Sequence, residues 1–154
     1  MAEKYAEVIA TLNDLIETCK DAERGLRNAA ESVQKDGDPE LRTLLNALAQ
    51  QRARFGAQLQ NEVLHRGGDP AQSGHVSAGF HRSWVNLKAA VSTNSEAMIV
   101  EECKSGEESA MRNYEAALKK NLPSDLFAIV EEQHAAIKQA HDRFRGLERA
   151  FTAS

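Results

Sequence analysis

Apolar residues recur at seven-residue spacing over four long stretches, and this constrains the chain more than anything else in it. In the first stretch, 2–34, one row reads Tyr5, Leu12, Cys19, Leu26, Val33. Its neighbours read Val8, Leu15, Ala22, Ala29 and Ile9, Ile16, Glu23, Ala30. Three adjacent rows form one broad apolar face on a helix. At ~1.5 Å per residue this helix is about 45 Å long, a length that suits a long bundle.

Lys35-Asp36-Gly37-Asp38-Pro39 breaks the pattern, with Asp38 as N-cap and Pro39 as first helical residue of a second helix over 39–66. Its rows are Leu41, Leu48, Phe55; Leu44, Gln51, Gln58; and Leu45, Arg52, Leu59. Gly67-Gly68-Asp69-Pro70 ends it, with glycine in the C′ position. A long connection follows. Within it, 76–91 reads as a shorter helix with Phe80, Trp84, Leu87 and Val91 at helical spacing, and Trp84 is expected to pin it to the bundle.

Thr93-Asn94-Ser95-Glu96 fits a capping box for a third helix over 94–120. That helix carries a stripe of mostly small residues: Ile99, Cys103, Gly106, Ala110, Tyr114, Ala117. The fourth helix, 125–151, shows Val130, Ile137, Phe144, Phe151 beside Leu126, Gln133, Ala140, Leu147. Its third row is Phe127, His134, His141, Glu148. The expectation is an all-α chain with one domain over 1–154. Two helical hairpins are joined by one long crossover carrying a short extra helix, the ferritin-like way of building an up-down four-helix bundle. The second and third helices should not form an antiparallel hairpin.

Composition narrows the function classes. Aromatics make up 5% of 154 residues, and the formal net charge is −4 with no basic tract, so nucleic acid is not an expected partner. No apolar window approaches a membrane span, and the first residues lack a signal-peptide pattern, so a cytoplasmic protein is expected. Neither a glycine-rich phosphate loop, a Gly-x-Ser-x-Gly elbow nor a Cys-x-x-Cys is present. No catalytic residues are expected. His75 and His81, in or near the connection, have no partner motif. Cys19 and Cys103 lie on apolar rows and are expected to be reduced structural thiols, possible neighbours near mid-helix. A homodimer is the expected association.

The polar residues that interrupt the rows carry the chemistry. Glu23, Gln51, Arg52, Gln133 and His141 can form a polar network in the core that fixes helix register. Carboxylate and imidazole in a bundle core also suggest a metal, because buried charge must be paired or coordinated. A di-metal carboxylate site takes one Glu from each of two helices and a Glu-x-x-His from each of the other two. The fourth helix offers one such pair, Glu131 and His134. The second offers amides, a guanidinium and a phenyl ring around Arg52 and Phe55. Two readings follow. One is a bundle with a degenerate di-metal site and no cofactor, serving as a non-catalytic binding or structural module. The other is a single divalent ion held by Glu102, Glu131 and His134, helped by Glu23.

Several segments together resemble a known bacterial family. They are Leu12-Asn13-Asp14-Leu15-Ile16-Glu17, Leu48-Ala49-Gln50-Gln51-Arg52, Gly67-Gly68-Asp69-Pro70, Trp84 with Leu87-Lys88-Ala89-Ala90, Glu102-Cys103 with Gly106-Glu107, and His141-Asp142-Arg143. The set is similar to the ferritin-like four-helix-bundle group known as domain of unknown function 2383, a distant relative of rubrerythrin and bacterioferritin. The resemblance implies a soluble bacterial bundle with no established activity. It further implies that the relatives' first-helix glutamate falls near Cys19 and their second-helix Glu-x-x-His near Arg52 and Phe55. Their third-helix glutamate falls near Glu102, and their last Glu-x-x-His on Glu131 and His134.

Overall fold

A computed structural model describes residues 2–33, 37–71 and 95–153. Among them are four helices and no strand: α1 (Ala2–Ser32), α2 (Pro39–His65), α3 (Glu96–Leu118) and α4 (Ser124–Ala153). The expected short helix over 76–91, with Phe80, Trp84, Leu87 and Val91, and His75, His81 and Thr93 lie outside the described residues.

Local chemistry fixes each helix end. Asp38, in extended backbone, accepts from the Glu40 amide at 2.9 Å, and Pro39 occupies the first helical turn. At the other end of α2, the Gly67 amide donates to Leu64 O and the Gly68 amide to Val63 O, each at 3.0 Å. This double closure needs a left-handed residue at Gly67, whose φ is +76°. The start of α3 differs from the sequence expectation. Its cap is Ser95, whose hydroxyl accepts from the Met98 amide at 3.3 Å. The Glu96 carboxylate accepts from the Asp38 amide at 2.8 Å, a contact between helices.

That contact sets the topology. Asp38 begins α2, so α3 starts where α2 starts and runs parallel to it. At the opposite end Arg66 meets Asp125 at 3.4 Å, which puts the start of α4 beside the end of α2. The hairpins α1–α2 and α3–α4 are antiparallel, and the residues that flank the connection, Ala71 and Ser95, stand at opposite ends of α2. Helices α2 and α3 therefore form no hairpin, as the sequence required. Asn13 on α1 holds the chain as it leaves α2, donating to Asp69 O at 3.1 Å and accepting from the Ala71 amide at 2.8 Å.

The apolar rows become the core. Leu12, Leu15, Ile16, Cys19, Ala22 and Leu26 of α1 are essentially inaccessible, as are Leu45 and Leu59 of α2. The whole α3 stripe from Ile99 to Ala117 is buried. On α4, Leu126, Val130, Gln133, Ile137, Ala140 and Phe144 face inward. Each large aliphatic side chain so buried contributes roughly 1.5–3 kcal/mol. The Phe127 row departs from the expected seam: Phe127 is 39% exposed, and His134 and His141 are half-buried at its edge.

Gly56 lies buried inside α2, and a Cβ built there would meet the Cys19 Cβ at 3.6 Å, an ordinary contact. Gly56→Ala should therefore raise stability by about 0.5–1 kcal/mol by lowering backbone entropy in the unfolded chain. A urea midpoint unchanged or lowered would show that the α1–α2 approach has no room for a methyl group.

Candidate functional site: a closed polar layer in the bundle core

Polar residues from all four helices meet in the interior. Arg52 of α2 and Glu107 of α3 are both fully buried. The guanidinium grips the carboxylate through two parallel bonds, Nη1 to Oε1 and Nη2 to Oε2. A bidentate fork of this kind is the strongest side-chain pairing available to a carboxylate. Arg52 Nε points to Gln51 Oε1 at 3.4 Å. Burial alone pushes the guanidinium pKa down, but the charge and hydrogen bonds of Glu107 more than offset it, so Arg52 stays charged.

A second chain of bonds crosses the same region. The Tyr114 hydroxyl donates to Gln133 Oε1 at 2.8 Å. Its oxygen is then free to accept from the Cys19 thiol, 3.0 Å away. Gln133 Nε2 donates to Gln58 Oε1 at 2.9 Å and reaches Phe55 O at 3.5 Å. Cys19, Tyr114, Gln133 and Gln58 come from α1, α3, α4 and α2 in turn. The bonds thus link α1 to α3, α3 to α4 and α4 to α2, where the chain ends at the exposed Gln58.

The thiols and the phenol are held neutral. Burial raises the Cys19 pKa to about 11, against lowering by its Tyr114 hydrogen bond and by Arg52. Burial, then the charges of Glu107 and Glu102, keeps Cys103 well above the ordinary thiol range. Tyr114 is also pushed well above its ordinary value, chiefly by burial. Both cysteines are free and buried. Native protein should therefore react with a thiol reagent only as fast as the fold opens, and both thiols should react at once in denaturant. Rapid modification of either cysteine in the native state would refute that placement.

A family model described as Domain of unknown function (DUF2383) matches residues 7–120. The chain belongs to this family. The match takes in α1, α2 and α3 and stops before α4, which supplies Gln133. No curated protein matches the chain.

In this DUF2383 chain the residues singled out from sequence fall in different places. Arg52 and Gln133 lie in the layer, and Gln51 touches its edge through Arg52. Glu23 is 24% exposed and pairs with Arg27 on its own helix at 2.7 Å. His141 pairs across the α3–α4 seam with Glu108 at 3.0 Å and contacts Asp142 at 3.4 Å. Glu102, Glu131 and His134 are not brought together. Glu131 is exposed, and His134 faces Glu115 at 3.4 Å. Glu102 stands more than three turns earlier on α3, about 20 Å from Glu115 along the axis. Its carboxyl pKa is raised by partial burial and by the neighbouring Glu101. Among the described residues no three His, Cys, Asp or Glu side chains are grouped so as to hold a metal ion.

Glu107 and Gln58 are legible in sequence as polar residues beside or within the apolar rows, whereas Tyr114 and Cys19 read there only as packing. One signal was available. Val100, Glu107 and Tyr114 form a seven-residue row on α3 beside the small stripe, and all three are buried, although Glu23, between Ile16 and Ala30 in a row of α1, stays 24% exposed. Glu102 belongs to no such row.

Proposed function

We propose that the chain is a ferritin-like bundle whose metal centre has been replaced by an internal ion pair, and that it serves as a non-catalytic structural or binding module. The observation that carries this reading is the Arg52–Glu107 fork at zero exposure. A di-iron centre needs about four carboxylates and two histidines converging between the helices. The residues present do not fit that group. The one carboxylate in the layer has both oxygens engaged by a guanidinium. Its neighbours are a neutral thiol, a phenol and two amides. With its charge neutralised by the guanidinium, the carboxylate offers a divalent ion neither a free oxygen nor a net attraction. The guanidinium supplies instead the positive charge that a buried carboxylate requires.

The single-ion alternative has less support, because Glu102, Glu131 and His134 are spread over the surface of α3 and α4. The chain is read as bacterial on its family resemblance. Among the described residues no helix is long and apolar enough to cross a membrane.

The test is metal analysis of protein purified without a nickel column, followed by anaerobic addition of ferrous iron and exposure to air. Iron oxidation no faster than in buffer, with no stoichiometric metal retained, is expected. Retention of two irons per chain, or catalysed oxidation, would overturn the proposal.

A further inference from the structure

We propose that the chain binds a small zwitterion with an apolar body, of the kind an apolar amino acid or short peptide provides, in a cleft where α2 and α4 part. The seam between these helices is joined along one half and open along the other. Toward the end of α2, Gln133 donates to Gln58 at 2.9 Å and Arg66 meets Asp125 at 3.4 Å. Toward the start of α2 the helices leave a cleft of about 540 Å³, lined by Pro39, Glu40, Thr43, Leu44 and Ala47 of α2 and by Arg143 of α4. Small-molecule sites run to roughly 300–1,000 Å³, apolar walls carrying a few convergent polar groups.

Spacing on α2 builds one wall. Glu40, Thr43, Leu44 and Ala47 stand at i, i+3, i+4 and i+7, so they share a single stripe of the helix. The stripe offers a carboxylate, a hydroxyl and, with Pro39, an apolar surface on which the half-buried Leu44 is the largest side chain. The guanidinium of Arg143 is the cation that lines the cleft from α4.

Charge selects the ligand class. Glu40 and Arg143 are both exposed, and among the described residues the two side chains pair neither with each other nor with a third group. Asp38 already caps the start of α2 by accepting from the Glu40 amide. A carboxylate entering the cleft is therefore read by Arg143, whose planar fork suits it. An ammonium is read by Glu40, with the Thr43 hydroxyl one turn along the same stripe. A hydrocarbon group between them covers Leu44, Ala47 and Pro39. A simple anion leaves Glu40 unanswered and a simple cation leaves Arg143 unanswered, whereas a zwitterion meets both. None of the lining residues belongs to the Arg52 layer, so this site stands whether or not that layer excludes a metal.

The test is titration of the nitrogen-15-labelled full chain with L-leucine, N-acetyl-L-leucine and L-leucine methyl ester, followed through amide chemical shifts. L-leucine is expected to move the Thr43, Leu44, Ala47 and Arg143 signals saturably. At an exposed site one charge contact changes the dissociation constant about three- to five-fold, so L-leucine should bind more tightly than either singly charged analogue by that factor. Arg143→Gln should abolish the preference for L-leucine over its methyl ester, and Glu40→Gln the preference over the acetyl derivative. Both positions are exposed, so far-ultraviolet circular dichroism should be unchanged in each variant. Absence of saturable shifts, shifts spread over other faces of the bundle, equal binding of the three compounds, or variants that keep both preferences would each overturn the proposal.

Discussion

Glu107→Ala is expected to destabilise the fold by about 3–5 kcal/mol, a large fraction of the stability of a domain this size. Removing the carboxylate leaves the Arg52 guanidinium at zero exposure with no counter-charge and only a long contact to Gln51. Arginine cannot escape by giving up its proton, so the full cost of a buried unpaired cation is incurred. Replacing both partners by apolar residues of similar volume, Arg52→Met with Glu107→Leu, should return stability to within about 1 kcal/mol of wild type or above it. Urea unfolding of the two single variants and the double variant measures this directly. A Glu107→Ala protein as stable as wild type would mean that Arg52 reaches solvent by another rotamer, and that the core is looser than described.

Alkaline pH should weaken the protein in a defined window. The Cys19 pKa is raised from 9.0 to about 11, and Cys103 and Tyr114 shift in the same direction. Below pH 9 both the folded and the unfolded chain keep these protons, and the contribution is fully present. Between pH 9 and about 11 the unfolded chain releases protons that the native chain retains, so the unfolded state gains and stability falls as pH rises. For Cys19 alone the loss is about 2–3 kcal/mol, and Cys103 and Tyr114 add to it. Chemical denaturation at pH 8 and at pH 10.5 should show the drop, reduced in a Cys19→Ala variant relative to its own stability at pH 8. A midpoint constant to pH 11 would require all three groups to ionise in the native protein as they do in the unfolded chain.

The architecture was legible because the rows are long and regular. Leu12, Cys19 and Leu26, or Ile99, Cys103 and Ala110, repeat often enough that no alternative burial of these faces is available to a helix. The α2 boundaries were legible for a different reason: Asp38-Pro39 and Gly67-Gly68 act through backbone chemistry that needs no tertiary partner. The cap of α3 falls at Ser95, two residues beyond the expected Thr93, and the Glu96 carboxylate reaches the Asp38 amide of the neighbouring helix. Sequence spacing cannot weigh a local bond against one made 58 residues away.

The core layer was half legible. Arg52 and Gln133 stand in apolar rows, and their presence inside required a polar partner. The identity of that partner depended on the vertical register of α3 against α2, which sequence does not encode at one-turn resolution. Glu102 and Glu107 are five residues apart, and the difference decides whether the core holds a candidate ligand or a counter-ion. Tyr114 was legible as an apolar body, but its hydroxyl bonds to Cys19 and Gln133 appear only when three helices are placed together.

The central claim, that a guanidinium–carboxylate pair occupies the position a metal centre would need, is tested most directly by anomalous diffraction from crystals grown with manganese or ferrous iron. The account predicts no anomalous peak inside the bundle, with Arg52 still forked onto Glu107. Two peaks between the helices, with Arg52 turned outward and Glu107 among the ligands, would contradict it.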